Sequence, residues 1–195
     1  ETQIVQGYLE LIDQHDLPEK VEGYVSRAKN MIEKEMEIIK KVRSVRKAQK
    51  EVKKEISISY AIEEAMEQCK HLAEDLEIDI KKESIKDCEV KGGRLLNKVF
   101  SNIIENAIHH SKGNKILIRG KTTPEEVLFF IEDDGRGIPD EDKERIFDKG
   151  FTTDEERGTG LGLFLVKTLL DKYEGKINVK NSKLGGTCFE IRLKK

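Results

Sequence analysis

Several residue types that mark particular protein classes are scarce in this sequence. Among its 195 residues there is no tryptophan, only three are proline, and 6% are aromatic. No apolar run approaches the roughly 18 residues that a membrane span needs, and no signal peptide follows Glu1. These absences argue against a membrane span or a signal peptide within these residues. Because the chain begins at Glu1 rather than at methionine, we expect it to be an internal part of a longer protein.

Cysteine is also scarce. Cys69, Cys88 and Cys188 are odd in number and far apart along the chain. Disulfide frameworks and zinc sites need paired or clustered thiols, so we expect neither here. The cysteine usage favours a reducing, cytoplasmic location for these residues, and it is also compatible with a membrane-anchored parent protein.

Charge is abundant but balanced. The 36 basic and 38 acidic residues leave a net charge of −2, and 38% of all residues are charged, against roughly 25% in an ordinary globular chain. Because no surface field of one sign is expected, the composition predicts no nucleic-acid partner and no contact of this chain with a membrane. So many charges predict long helices with solvated faces.

The sequence pattern changes near residue 55 and predicts two domains, 1–55 and 56–195. In the first, aliphatic residues recur at helical spacing between Glu, Lys and Arg. The pattern predicts a helical hairpin whose first helix ends near His15 and whose second runs from Pro18 to Lys54, with Pro18 in its first turn. A lone hairpin buries little apolar surface, so we expect two copies to form a homodimeric four-helix bundle. Packing of the hairpin on the second domain alone is the open alternative.

The second domain mixes helical and strand-like periodicities. Its pattern predicts three helices, near Tyr60–Asp75, Arg94–His110 and Leu161–Lys172. Short strand-like runs lie between and after them, at 55–59, 78–82, 88–90, 115–120, 127–132, 176–180 and 187–193. Because the strands include hairpin-like neighbours, we expect an α+β fold, an α/β sandwich in which helices cover one face of a mixed sheet.

The segment Asn102-Ile-Ile-Glu-Asn106 places two amides on one face of a predicted helix. Asn102 and Asn106 are four residues apart, so their side chains are neighbours on the helix surface. Amides offer oxygen ligands to Mg²⁺ and N–H donors to phosphate. Taken alone, two asparagines on a helix are more often solvent-facing residues.

The segment Asp133-Asp-Gly-Arg-Gly137 follows an apolar predicted strand directly. A carboxylate at a strand end accepts hydrogen bonds from an exocyclic amino group, and Gly135 and Gly137 let the backbone approach a flat ligand. The competing interpretation is a plain turn, because Asp-Gly is a common hairpin signal.

The segment Gly158-Thr-Gly-Leu-Gly162 opens the last predicted helix. Glycine-rich backbone that leads into a helix N-terminus is typical of an anion site, since free N–H groups and the helix dipole point at the ligand. It matches neither the dinucleotide-binding nor the P-loop pattern. A flexible hinge is the alternative.

Between the two glycine clusters lies Arg145-Ile-Phe-Asp-Lys-Gly-Phe-Thr-Thr153. Phe147 and Phe151 are four residues apart in an otherwise polar stretch. They are able to hold a mobile segment over a bound ligand. A small satellite core would produce the same pattern.

In this order the four segments resemble the nucleotide-binding boxes of the ATP-binding fold shared by sensor histidine kinases, gyrase-type topoisomerases, Hsp90 chaperones and MutL mismatch-repair proteins. The segment Gly185-Gly-Thr-Cys-Phe189 is similar to the closing strand of histidine kinases. The resemblance covers about 56–195 and implies ATP and Mg²⁺ as ligands, with Asp133 at the adenine amino group, Asn106 at the metal and 138–157 as a lid. It implies these nucleotide-contacting residues: Asn102, Asn106, His109, His110, Asp133, Gly135, Gly137, Ile138, Phe147, Gly158, Thr159, Gly160, Leu161, Gly162 and Thr187.

The position one helical turn before Asn106 separates branches of this family. Hydrolytic relatives place there a glutamate that activates water, whereas this chain has Asn102, whose amide cannot take a proton. Glu105, directly before Asn106, points about 100° away around the helix. The resemblance therefore implies a protein kinase in which Asn102 and Asn106 position ATP for phosphoryl transfer.

The predicted hairpin agrees with a sensor histidine kinase. Gly7-Tyr-Leu-Glu-Leu-Ile12 is similar to the part of the dimerisation helix that follows the phosphoacceptor histidine, so we expect that histidine ahead of Glu1. His15 lacks the surrounding pattern of the acceptor, and we expect this chain alone not to phosphorylate itself. The implied reaction moves the γ-phosphoryl group of ATP to a histidine and on to the receiver domain of a response regulator.

Two other functions stay open at this point. A serine kinase of the anti-sigma-factor type shares the four boxes but not the hairpin. A non-catalytic, nucleotide-sensing dimer scaffold would bind ATP without transferring phosphate.

Overall fold

The structure, a computed structural model, describes residues 2–13, 15, 17–83, 85–154 and 158–195. It begins with two helices, α1 (Thr2–Asp13) and α2 (Glu19–Lys50), which pack against each other as a hairpin. Within the described ranges, no helix is apolar over enough of its length to cross a bilayer.

The ends of α2 differ slightly from those predicted. Pro18 is the N-cap rather than a first-turn residue, and its carbonyl accepts hydrogen bonds from the N–H groups of Val21 and Glu22 at 2.7 and 3.1 Å. The helix stops at Lys50, four residues before the predicted end. It stops there because the backbone at Glu51 is extended and Lys54 already pairs with Gly92 in a strand.

The rest of the chain alternates strands and helices. These are β1 (Lys54–Ser57), α3 (Ile58–Asp75), β2 (Asp79–Glu83), β3 (Glu89–Gly92), α4 (Leu96–His110), β4 (Lys115–Thr122), β5 (Glu126–Asp133), α5 (Gly162–Lys172), β6 (Lys176–Asn181) and β7 (Thr187–Lys194). A single turn of 3₁₀ helix, Arg145–Phe147, lies in the long segment between β5 and α5.

Five strands form one sheet in the order β2-β4-β5-β7-β6. The β2–β4 pair is parallel and the other three pairs are antiparallel, so the sheet is mixed. Strands β1 and β3 form a separate antiparallel pair. The predicted α+β class, with a helical hairpin followed by an α/β sandwich, is confirmed.

The core lies between this sheet and the helices α3, α4 and α5. Alternate residues of β5, Val127, Phe129 and Ile131, are buried under the helices. The ring of Phe129 meets that of Phe100 on α4 edge to face, with centroids 5.5 Å apart. All three cysteines are free thiols.

The end of α2 is attached to α5. Ala48 is completely buried, and the ammonium group of Lys172, the last residue of α5, donates to the carbonyl of Gln49 at 3.2 Å. The hydroxyl of Tyr173, just past α5, donates to the carboxylate of Glu51. The hairpin therefore lies along the sandwich instead of standing apart from it.

Candidate functional site: a nucleotide cavity

A cavity of about 1220 Å³ opens where β5 ends and β7 begins. That volume is somewhat larger than a typical small-molecule site, which holds roughly 300–1,000 Å³. Its wall combines residues of all four sequence motifs with residues of α2 that no motif contained. The motif residues in the wall include Asn102, Asn106, Asp133, Gly137, Phe151, Thr152, Gly158, Thr159, Gly160 and Gly162.

Asp133 is held in one orientation at the end of β5. Its side chain is only 3% exposed, and Oδ1 accepts hydrogen bonds from the N–H groups of Gly135 at 2.9 Å and Thr187 at 3.2 Å. Gly186 passes directly beside it, where a Cβ atom would lie 2.1 Å from Oδ1. The residue that leads into β7 must therefore be a glycine for the carboxylate to fit.

The electrostatic state of Asp133 follows from this burial. Loss of hydration raises the pKa of the Asp133 carboxyl above its ordinary value, and the donors Gly135 and Thr187 oppose the rise. A buried carboxylate with two backbone donors on one oxygen gains from a further donor that enters the cavity. The exocyclic amino group of adenine is such a donor.

The two amides of α4 meet the first residue of α5. Asn102 donates from Nδ2 to the carbonyl of Lys98 at 2.7 Å. A Cβ atom on Gly162 would lie 3.1 Å from Asn102 Oδ1 and 4.0 Å from Asn106 Nδ2. The absence of a side chain at Gly162 thus lets the N-terminus of α5 approach the amide face of α4.

The glycine loop before α5 is tied to the long segment that precedes it. Gly160 has a φ of +61°, and its carbonyl accepts a hydrogen bond from the N–H of Gly150 at 2.9 Å. A Cβ atom on Gly160 would lie 2.3 Å from the backbone of Gly150. The loop therefore needs glycine at 160 both for its conformation and for this close approach.

His109 and His110 end α4 and line the cavity. Burial lowers the pKa of His110 below its usual value of 6.5, and the charges of Arg136 and Lys41 add to this effect. His109 also lowers it, while Asp154 acts in the opposite direction. His110 is therefore a neutral donor or acceptor near pH 7, and an entering anion would raise its pKa and favour uptake of a proton from solvent.

Three residues predicted to contact nucleotide do not line the cavity. Gly135 is held against the end of α4, where a Cβ atom would lie 2.1 Å from the carbonyl oxygen of Ser111. Phe147 packs on the hydrophobic core, and Leu161 is buried at 8% exposure. Gly135 is therefore needed for a close backbone approach, whereas Phe147 and Leu161 contribute to packing.

Several cavity residues were not predicted. Lys34 and Lys41 come from α2, and Arg136 and Asp142 come from the segment after β5. In the sequence these four residues lie among many other charged residues, and nothing in the pattern distinguishes them as cavity residues. Glu105 also lines the cavity, although the helical angle was expected to turn it away, because the wall is wide enough to include more than one face of α4.

The long segment after β5 is anchored by apolar side chains. Ile146 is 8% exposed, Phe151 lines the cavity, and the guanidinium of Arg145 lies 4.9 Å from the centroid of the Phe151 ring. Of the predicted lid, 138–157, the last three residues lie outside the described residues.

The donor set suits a magnesium-bound nucleotide. Asn106 lines the cavity, and its buried Nδ2 has no hydrogen-bond partner within the part of the chain that the structure describes. An amide oriented by a ligand would offer its oxygen to Mg²⁺ or its N–H groups to phosphate. Asp133 offers an acceptor in the same cavity, and Gly158, Thr159, Gly160 and Gly162 also line it.

Residues 92–195 match the family described as histidine kinase-, DNA gyrase B-, and HSP90-like ATPase. A curated relative, the sensor protein SrrB of Staphylococcus aureus, is 36% identical over 106 residues, which are 51% of this chain and 18% of that protein. The chain thus spans less than a fifth of the length of this relative.

Two solved structures extend the comparison. The catalytic domain of the histidine kinase ThkA is 29% identical with a TM-score of 0.66, over 74% of this chain and 96% of that chain. ThkA in complex with the response regulator protein TrrA is 26% identical with a TM-score of 0.71. That likeness covers 98% of this chain and 57% of that chain, so it includes the hairpin.

Proposed function

The chain belongs to the histidine kinase-, DNA gyrase B- and HSP90-like ATPase family, and we propose that it is the core of a sensor histidine kinase. In this proposal the γ-phosphoryl group of ATP passes to a histidine and then to an aspartate of a response-regulator receiver domain. The likeness of the whole chain, hairpin included, to ThkA bound to a response regulator supports this assignment.

In the proposed site, different residues of the cavity wall bind the adenine, the phosphates and the metal ion of Mg·ATP. Asp133 accepts a hydrogen bond from the adenine amino group, and the glycine loop, 158–162, faces the phosphates at the start of α5. Asn106 holds Mg²⁺, which would neutralise charge on the phosphates. The residues themselves position the nucleotide and exclude water, which is most of what phosphoryl transfer requires of a protein.

The observation that carries the kinase assignment is the amide at Asn102. It lies on the cavity wall one turn before Asn106, and its Nδ2 is bound to the carbonyl of Lys98. An amide in this position has no basic atom that could remove a proton from water. The site therefore binds ATP without its own hydrolytic base at this position and leaves the phosphoryl group for a protein acceptor.

The hairpin would supply the dimer interface, through residues 1–55. Its two helices leave large apolar side chains exposed to solvent: Ile4, Val5, Tyr8, Leu11, Ile12, Val21, Tyr24, Met31, Ile39 and Val42. Covering them with the same face of a second copy would give a four-helix bundle. Light scattering at micromolar concentration should report a dimer, and a monomer would contradict this part of the proposal.

The reaction is tested on one gel with γ-labelled ATP. The resemblance puts the acceptor histidine ahead of Glu1, so an N-terminally extended form should acquire acid-labile label, whereas the 195-residue chain should not. His15→Ala should change neither result. Label on the 195-residue chain that disappears in His15→Ala would identify His15 as the acceptor, and absence of label from both forms would contradict a histidine kinase.

Hydrolysis of ATP is the second candidate, and one observation favours it. Glu105 brings a carboxylate into the cavity wall beside Asn106. Steady release of phosphate from ATP by the wild-type chain, abolished in Glu105→Gln, would move the protein to the hydrolytic branch of its family. The kinase assignment predicts that the wild type releases phosphate from ATP no faster than Glu105→Gln does.

A further inference from the structure

One wall of the nucleotide cavity comes from the hairpin. Asn30, Glu33, Lys34 and Lys41 of α2 all line it. Asn30, Lys34 and Lys41 are spaced by four and seven residues, which keeps them on one face of the helix. This face carries two cations and one carboxylate, Glu33, toward the cavity.

The packing of α2 on α5 determines which part of the cavity this face reaches. Lys41 lies at Thr159, just before the first turn of α5, and Gln49 lies at Lys172, the end of α5. The two helices therefore run side by side in the same direction. Lys41 is thus at the N-terminal end of α5, the end that attracts anions.

Lys41 is within reach of the glycine loop itself. Its Nζ donates to the hydroxyl of Thr159 at 3.4 Å, in a partly buried setting. Its charge is also among those that lower the pKa of His110, another residue of the cavity wall. The Lys41 ammonium group therefore faces the cavity that the phosphate groups of a nucleotide would enter.

We propose that Lys41 of the hairpin is a phosphate-binding residue of the nucleotide site, and this inference rests on the proposed ATP function. Its long, flexible stem lets the ammonium group exchange the Thr159 hydroxyl for a phosphate oxygen, which gives a stronger, charge-assisted bond. Bound ATP would then connect the hairpin with the glycine loop. Nucleotides with fewer phosphates would connect them less well.

The test compares adenosine, ADP and Mg·ATP by titration calorimetry with the whole chain. Lys41→Gln should weaken Mg·ATP binding by about tenfold, ADP binding by less, and adenosine binding not at all, because only the phosphates meet the ammonium group. Lys41→Arg should keep most of the Mg·ATP affinity. The matched control is Lys40→Gln, which removes the same charge from the exposed residue next to it and should bind like the wild type.

The outcomes separate this inference from the proposed function. If the wild type binds Mg·ATP and Lys41→Gln behaves as Lys40→Gln does, the inference is wrong while the proposed function stands. Tighter Mg·ATP binding by Lys41→Gln would show that the Thr159 contact obstructs the phosphates, and equal weakening of all three ligands would show a structural role. Either result overturns the inference. A wild type that binds no ATP overturns both the inference and the proposed function.

Discussion

The phenol of Tyr173, just past the end of α5, donates a hydrogen bond to the carboxylate of Glu51, just past the end of α2. The other carboxylate oxygen of Glu51 accepts from the backbone N–H of Leu95, the N-cap of α4, at 3.2 Å. One carboxylate therefore joins the ends of three helices. Helices α4 and α5 carry nucleotide motifs, and α2 supplies one wall of the cavity.

Tyr173→Phe should destabilise the fold at this junction. The phenol is 1% exposed, and burial together with its bond to Glu51 raises the pKa of Tyr173. Removal of the hydroxyl leaves a partly buried carboxylate short of one donor, at a cost of about 1.5–3 kcal/mol in the free energy of unfolding. Denaturant unfolding measures this change, and Tyr60→Phe, on the exposed face of α3, should change it little. Equal stability of the two variants would contradict the role assigned to the junction.

Asn106→Ala should remove the dependence of ATP binding on Mg²⁺. The amide oxygen is the proposed ligand, and alanine offers none. The measurement is the ratio of ATP affinity with and without Mg²⁺, which should fall toward one in the variant. Asn114→Ala, at an exposed loop position, serves as the control. A wild-type ratio in Asn106→Ala would remove this residue from the metal site.

ATP binding between pH 6 and 7 should be accompanied by proton uptake at His110. Burial lowers the pKa of the free His110 below its usual value of 6.5, so a larger fraction of the ring is neutral in this pH range than for an ordinary histidine. Entering phosphate charge raises the pKa again, and the ring takes up a fraction of a proton. Calorimetry in two buffers of different ionisation enthalpy measures the number of protons.

The wild type should take up more protons than His110→Gln under the same conditions. His71→Gln, an exposed position on α3, should match the wild type. Identical proton numbers for the wild type and His110→Gln would place His110 away from the bound phosphates.

Nucleotide should slow hydrogen exchange in the segment 138–154. Its main apolar anchors are Ile146, Phe147 and Phe151, and few buried contacts mean low local stability. The N–H of Gly150, bound to the carbonyl of Gly160, reports directly on the link to the glycine loop. Exchange there should be fast without ATP and slower with it. Equal rates in both states would make the segment a fixed structural element instead of a lid.

The sequence patterns were sufficient to predict the order of elements, and the family resemblance implied that the motifs belong to one site. Each predicted helix of the sandwich exists within two residues of its predicted bounds, because apolar periodicity records which face of each element is buried. Asp133, Asn106 and the glycines at 158–162 meet in one cavity since the segments that carry them end or begin at the same edge of the sheet.

What the sequence could not predict depends on contacts between distant segments. Gly135 fits a nucleotide-binding spacing, but its missing side chain makes room for Ser111, which lies on another segment. Lys41 is one of many charges on α2, and only the packing of that helix along α5 brings it to Thr159. Glu105 enters the wall because of the width of the cavity, which a helical angle does not reveal.

Asp133→Asn provides the most direct test that this cavity is an ATP site. The amide keeps an oxygen for the N–H groups of Gly135 and Thr187, and it removes a charge that burial disfavours, so the melting temperature should not fall. The charge-assisted bond to adenine is lost, at about 1.5–3 kcal/mol. Titration calorimetry with Mg·ATP should therefore show affinity reduced by about tenfold or more.

Asp134→Asn is the matched control for this measurement. Asp134 accepts from the N–H groups of Asn114 and Lys115, both at 2.9 Å, and is not part of the cavity wall in the described chain. Its substitution should leave Mg·ATP affinity unchanged. The account predicts weakened binding for Asp133→Asn and wild-type binding for Asp134→Asn. Wild-type affinity in Asp133→Asn would contradict it.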